Sequence, residues 1–460
     1  MYAQPDSMTM YGNDTICLIT DINITGNKKT KPKIILCELE FNPGDTISFN
    51  RLPAAIEKSK INLQKTSIFN YVTITYAFDD DSLHVGLNCT KIDINVEECW
   101  YTWPLFDITP HTGNLNQWFA HPDFDLIDYY IGIKKYNFLG RRQVIGLFFR
   151  RGFNNITQIS YENIAIDRKH KHLMSLFASV QKQNSVMINT EDDKAKYYDF
   201  EGKEKAMRGY NYSITYKYRP TIDITNNFSV GYMSSTIRDS VAIVNPLYFG
   251  DGRTKLEGVT LKYEFRLDKR SSSYYPLQGS LLSATIQKYG IFSNSIDILK
   301  VTLDARKYLQ LAPRQFFASQ LYGSISSNST PFYLMEAIGF KPNIVPGYEH
   351  NMIKGRSLSY IKSSYKFELI RQHILHLKWL PAKKFNKIHY AVYLNAFANA
   401  GYTTPQDDDA IYNNNMSGSF LGALGIGIDF VTYYERVFSA FVTRNVQGGM
   451  YIGVGFLSSF

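Results

Sequence analysis

Beyond Cys99 the chain contains no cysteine: all four, Cys17, Cys37, Cys89 and Cys99, lie within the first hundred of 460 residues. Their spacings fit no zinc pattern. An oxidising compartment permits disulfides, and four thiols allow three pairings, which the sequence leaves open. The chain also lacks any run of 18 or more apolar residues, which excludes a transmembrane helix on length. It shows no basic stretch followed by an apolar core at Met1-Tyr-Ala-Gln-Pro-Asp6. The expectation is that numbering begins near a mature N-terminus, and no N-terminal cysteine indicates a lipoprotein anchor. Net charge is +9, yet Lys and Arg are interspersed with Asp and Glu instead of gathered on one element. That pattern argues against nucleic acid as a partner. His170/His172 and His373/His376 lack the cysteine or acidic neighbours of a metal site. Gly422-Ala-Leu-Gly-Ile-Gly427 has no βαβ context for a phosphate loop. No Ser-His-Asp arrangement is legible. The expectation is a protein without catalytic residue, metal or cofactor.

What is present is aromatic and alternating. Tyr (34) and Phe (30) are abundant, and mean hydropathy is −0.24. A membrane barrel combines both features, because its apolar surface is hidden in period-2 alternation. The final segment, Met450 to Phe460, sets Met450, Ile452, Val454, Phe456 and Phe460 on one face. Tyr451, Gly453, Gly455, Leu457 and Ser459 occupy the other. A tilted strand of this length spans a bilayer. An apolar strand closing on Phe460 resembles the C-terminal signal of bacterial outer-membrane barrels. Earlier segments repeat the pattern: Tyr210, Tyr212, Ile214, Tyr216 and Tyr218 alternate with Asn211, Ser213, Thr215 and Lys217. Val259, Leu261, Tyr263, Phe265 and Leu267 alternate with Thr260, Lys262, Glu264 and Arg266. About sixteen such segments, near the ~9–11 residue scale of a membrane strand, start near Leu126, Arg141, Asn155, His170, Met207, Ile222, Leu256, Leu277, Asn294, Arg314, Pro331, Arg356, Lys387, Ser419, Tyr433 and Gly448. An even number closes an antiparallel barrel without an edge in lipid. A soluble β-sandwich is the alternative, and the length and number of the strands oppose it.

Residues 16–95 differ. Cys17–Thr25 alternates as a strand, with Leu18, Thr20, Ile22 and Ile24 on one side. Gly26-Asn27 turns the chain. Lys31–Glu40 has helical spacing, and Pro43-Gly44-Asp45 ends it. A second helix runs from about Leu52 to Leu63, and strands follow at Tyr71–Phe78 and Leu83–Asp93. This β-α-α-β-β order, with Ile22-Asn-Ile-Thr-Gly-Asn27, Thr30, Cys37-Glu-Leu39, Pro43-Gly-Asp45 and Ser67-Ile-Phe-Asn-Tyr-Val72, resembles a POTRA domain, the periplasmic module of the BamA/TamA outer-membrane assembly superfamily. Cys37 stands where that family often has Arg. The expected organisation is a flexible segment 1–15, a POTRA domain 16–95, a Trp-rich connector 96–125 and a transmembrane antiparallel β-barrel 126–460. The connector with Tyr101, Trp103 and Pro104, the single POTRA and Tyr433-Tyr-Glu-Arg436 resemble members from Bacteroidetes.

Two further motifs are read through that resemblance. Val345-Pro346-Gly347-Tyr348 by itself is a type II turn. In the superfamily the loop at this place folds into the lumen with a Val-Arg-Gly-Tyr/Phe tip, followed by a Gly, here Gly355. The family's Phe-x-Asp-x-Gly strand partner reads here Phe397-Ala-Asn399-Ala-Gly401, and alternation places Phe397, Asn399 and Gly401 on the lumen face. Pro346 and Asn399 replace the family's Arg and Asp together. Removing one partner alone would strand a buried charge at about 3–5 kcal/mol. Losing both leaves a neutral contact that Asn399 can still make.

The resemblance implies an outer-membrane assembly factor. Its partners would be unfolded outer-membrane clients, outer-membrane lipid including lipopolysaccharide, and further assembly-machine subunits. Clients would be templated on POTRA edges and on a seam of first and last strands near Tyr130 and Ile452, with Gly453 and Gly455 loosening the last strand. A polypeptide-translocating pore of two-partner-secretion type and an accessory barrel in a larger complex are the alternatives.

Overall fold

The structure, a computed structural model, describes residues 16–78, 88–110, 127–152, 154–199, 205–272, 275–293, 296–327, 329–376, 387–432 and 436–455. The expectations for residues 1–15, for the start of the Leu83–Asp93 strand, for 111–126, for Tyr433-Tyr-Glu435, and for Phe456 and Phe460 lie outside these. The chain divides into two compact units, 1–102 with 135–144, and 103–134 with 145–460.

In the first unit, β1 (Ile16–Thr25), α1 (Pro32–Leu36), β2 (Thr46–Ser48), α2 (Leu52–Lys65), β3 (Phe69–Phe78) and β4 (Asn88–Glu98) follow in order. The sheet order is β2-β1-β4-β3, with β1 parallel to β4. Pro53 sits in the first turn of α2, where its missing N–H removes no helical bond. Leu52, Ile56, Ser59 and Leu63 recur at helical spacing and are buried against the sheet. The first helix is shorter than its pattern implies, because Phe41 drops into the core and the Pro43–Asp45 turn closes onto β1. Gly44 N–H donates to Ile19 O at 2.8 Å, and Ile19 N–H donates to Asp45 O at 3.0 Å. This returns the chain as β2, a strand the sequence did not reveal.

The face assigned to β1 is corrected halfway along. Cys17 and Ile19, not Leu18 and Thr20, are fully buried, whereas Ile22 and Ile24 pack inward as expected. A register shift between Ile19 and Asp21 inserts Thr20 as an extra residue, and such a bulge moves the later side chains to the other face. The domain also runs past residue 95. β4 continues to Glu98, and buried Tyr101 donates its hydroxyl to Ile68 O at 3.0 Å. Cys17 and Cys89 are buried, Cys99 is half-buried and Cys37 is exposed.

The second unit is built on one sixteen-stranded antiparallel sheet. It begins with β5 (Thr102–Pro110), β6 (Ile127–Phe138), β7 (Gln143–Gly152), β8 (Asn154–Ala165) and β9 (His172–Gln183). A separate hairpin, β10 (Ser185–Glu191) and β11 (Lys194–Asp199), precedes β12 (Met207–Tyr218) and β13 (Ile224–Ile237). The short helix α3 (Asp239–Val244) leads to β14 (Lys255–Asp268), β15 (Gly279–Ile291), β16 (Ile298–Ala312) and β17 (Gln315–Ser326). Inside the next loop β18 (Glu336–Ile338) pairs with β19 (Ile353–Gly355). The wall resumes with β20 (Ser357–His376), β21 (Lys387–Thr403), β22 (Leu421–Thr432), β23 (Arg436–Asn445) and β24 (Met450–Gly455). Apolar side chains are exposed on the outer face, Ile214, Val230, Leu261, Leu424 and Ile426 among them.

The count of sixteen survives two compensating errors. Pro331 does not open a wall strand: Phe332–Leu334 is a single 3-10 turn, and Phe332 and Ile338 enter the cores of the loop region. The first strand is instead β5, in the segment taken for a connector, so the barrel begins at Thr102 and not at 126. β17, the tenth of the expected segments, becomes the eleventh strand, and β20 and β21 remain the twelfth and thirteenth.

Candidate functional site

The loop between β17 and β20 carries the Val345–Tyr348 tip. Val345 is buried in a cluster with Ile338, Tyr348, Ile353, Leu358, Tyr360, Leu421 and Ala423. Gly347 has φ +101°, and a Cβ there would lie 2.5 Å from the Ala423 side chain. Both the turn and the close approach therefore require glycine.

Four consecutive strands grip the tip with uncharged groups. Asn399 of β21 donates Nδ2–H to Pro346 O at 3.0 Å, and Asn445 of β23 donates to Gly347 O at 3.0 Å. The Tyr348 hydroxyl, wholly buried, lies 2.9 Å from Gly422 O of β22 and 2.7 Å from Gln447 Oε1, so its one proton is shared. The His350 ring stacks on Tyr451 of β24 with centroids 4.8 Å apart. Each hydrogen bond contributes about 1 kcal/mol net, and leaving its buried partner unsatisfied costs more. Glu349 is 3 % exposed, and its Oε2 accepts the Gly347 N–H at 2.9 Å. Burial pushes its carboxyl up to about 7.

The other anticipated residues support this dock. Phe397 faces the lumen, edge to face with Phe441 at 5.9 Å, and occupies the space a Cβ on Gly425 would need. Gly401 and Gly355 let loop and wall approach, since a Cβ would meet Ile338 at 3.1 Å and Thr403 at 3.0 Å respectively. Sequence reasoning missed Glu349, Asn445, His350 and Tyr451. Alternation along β23 would have placed Asn445 on the lumen face, but nothing local marks it as a loop partner.

The seam is moved. The sheet order ends on β24 and β5. Tyr130 belongs to β6, one strand inside the edge, where it stacks on Phe148 at 5.7 Å. On the end strands Phe106, Ile108, Met450, Ile452 and Val454 are exposed. Gly453 does more than loosen β24: a Cβ there would lie 2.2 Å from the Phe441 ring, so the glycine makes room for that ring.

In the first unit, Gly26 has φ +85° and a Cβ would lie 1.9 Å from Val96 O. Asn27 Nδ2–H donates to Thr30 O at 3.1 Å. The turn delivers the N–H groups of Lys29 and Thr30 to one Glu98 oxygen at 2.9 and 2.6 Å. The Thr30 hydroxyl reaches the same oxygen at 2.7 Å, and Asn137 donates to that hydroxyl at 2.8 Å. Glu38 is buried and pairs with Arg142 at 2.7 Å, supplying a guanidinium where Cys37 does not. Gly44 has φ +91°, and Asp45 Oδ2 accepts the Asn42 N–H at 2.7 Å.

Residues 18–99 match the family model described as POTRA, surface antigen variable number repeat. Among solved structures, the chain is similar to BamA from Haemophilus ducreyi lacking POTRA domains 1–3. The TM-score is 0.52 at 14 % identity, covering 96 % of this chain and 83 % of that one. It is also similar to CdiB from Acinetobacter baumannii, with TM-score 0.51 at 11 % identity, covering 94 % of this chain and 71 % of that one. No curated protein matches it in sequence. The molecule is thus a β-barrel with an N-terminal POTRA domain. Its fold is shared with that of BamA and CdiB.

Proposed function

We propose that the chain works in the outer membrane, with its POTRA domain in the periplasm, and inserts client β-strands there. The support is the sheet order: among the described residues β5 and β24 are its two ends. Strands that part at such a seam present unpaired N–H and C=O groups, the template a client strand needs. β3 is likewise an end strand of the POTRA sheet and offers an edge for β-augmentation. The wall contacts lipid, lipopolysaccharide included, and strand pairing requires neither cofactor nor catalytic residue.

Cysteines placed at Phe106 or Ile108 of β5 and at Ile452 or Val454 of β24 test this by cross-linking. Client assembly should stop when the seam is locked and resume on reduction. Undiminished assembly with the cross-link complete would sink lateral opening. A Tyr130/Ile452 pair serves as the control and should not cross-link, because β5 intervenes.

A second reading, an accessory barrel within a larger assembly machine, is favoured by one observation. Pro346 and Asn399 meet through an amide–carbonyl bond without charge. Purification with other outer-membrane assembly subunits, combined with normal assembly in a seam-locked variant, would support it over insertion.

A further inference from the structure

The long connections 184–206, 238–254, 327–356 and 404–420 all leave the same end of the barrel. At the opposite end the described turns are mostly short, as at 313–314 between β16 and β17. The connection 269–278, between β14 and β15, is the exception among the described turns there. Lys269 N–H donates to Ser280 O at 2.8 Å and Ser271 N–H to Gln278 O at 3.0 Å, so the hairpin continues beyond the wall. Arg270 is 6 % exposed and clamps Asp268 through Nε at 2.8 Å and Nη2 at 2.7 Å.

Tyr275, from this turn, lies inside the barrel. It is 6 % exposed and clusters with Phe316, Ala391, Tyr393 and Val437, from β17, β21 and β23. Its hydroxyl donates to Asp429 Oδ2 of β22 at 2.9 Å. The Lys366 ammonium of β20 lies 4.1 Å from its ring centroid, and the Tyr393 ring 5.1 Å away. Asp429 is 2 % exposed and also accepts from Ser439 at 2.7 Å. β14 and β15 are the eighth and ninth strands and β22 the fourteenth, so this contact crosses the lumen instead of following the wall. A phenol donating to a buried carboxylate is a strong, directional bond. The ring beneath an ammonium adds a cation–π contact.

We propose that the turn between β14 and β15 is a latch that seals the short-turn end of the lumen, with Tyr275 as its bolt and Asp429 with Lys366 as its keeper. In this state the lumen is closed to a polypeptide from that side, and passage requires the turn to swing out. The proposal holds for an insertase and for a translocator alike, and its test reads lumen access, not client assembly.

Ser364 sits on the lumen face of β20, between Lys366 at the latch and Lys362, whose Nζ reaches Ile344 O of the docked loop at 3.5 Å. A Ser364→Cys variant of the full chain in nanodiscs is exposed to a membrane-impermeant maleimide. Labelling is resolved by peptide mass spectrometry, so the four native cysteines, all in the POTRA unit, report separately. Labelling of Cys at 364 should be slow with the native turn. It should be at least about tenfold faster with Tyr275→Ala, because local opening governs access. Tyr275→Phe, which removes only the hydroxyl, should accelerate it less. Heat-modifiable mobility confirms that each barrel is folded. If Tyr275→Ala fails that check, Tyr275→Phe decides alone. Equal rates with and without the substitution in folded protein overturn the latch.

Discussion

Pro346 and Asn399 show how a pair of residues retains a contact while changing its physics. The amide of Asn399 is a donor facing a carbonyl, and it is 6 % exposed. Asn399→Ala should lower stability by about 1 kcal/mol. Asn399→Asp should cost more, because an acceptor-only carboxylate would face the Pro346 oxygen and lose the donated bond, although the cross-strand Lys362 offsets part of its charge. Denaturant midpoints of the purified barrel rank the two; an aspartate variant as stable as the alanine one would refute this account of the dock. Glu349 adds a pH dependence. Its carboxyl ordinarily titrates at 4.5 and is raised to about 7 in the docked loop. The docked state therefore holds the proton more tightly. Docking is fully favoured below pH 4.5, weakens as pH rises through 7, and is level above that. Protease protection of residues 341–356 should fall across this window in the wild type and stay flat in Glu349→Gln. The tip residues Val345–Tyr348 and Asn399 were legible only through their resemblance to the superfamily's loop and strand motifs, since alone they read as a turn and an alternating strand. Glu349 was not, since burial and not sequence makes a carboxylate unusual.

At the scale of elements, alternation identified most of the wall and failed where another force set the backbone. In β1 the hydrophobic pattern is ambiguous because a bulge at Thr20 changes which parity faces the core. At Pro331 an apolar run of strand length packs into the loop region instead of the wall. β5 was overlooked because its Trp103-Pro104 start reads as a linker, and an end strand tolerates proline where a central one does not. Gly453 illustrates the reverse, a residue whose reason lies on the neighbouring strand. Gly453→Val should destabilise β24 by about 1–3 kcal/mol through overpacking against Phe441. Phe441→Ala in the same chain should recover part of that loss, since the clash is shared. The heat-modification temperature of the single and double variants measures the coupling, and strict additivity would show that the ring is not the obstacle.

For the whole molecule, two inward segments act in series: the docked loop 341–356 and the turn 269–278. Current through a barrel needs every constriction open at once. Planar-bilayer conductance should therefore stay low when either segment alone is deleted and rise only when both are. A large rise on deleting 341–356 alone would mean that the turn seals nothing. The pH and access experiments separate the two segments, and seam cross-linking addresses client assembly.

The sequence by itself determined the class of the fold. Period-2 alternation, a strand-length scale and the POTRA turns are local properties, set by backbone geometry and by which side chains tolerate lipid or water. Tertiary structure decided everything that joins distant positions. It placed β5 rather than the Tyr130 strand at the edge, brought Asn445 and Tyr451 onto the loop tip, and set Tyr275 against Asp429 across the lumen. Such contacts depend on how sixteen strands close around one space, and no window along the chain contains that closure.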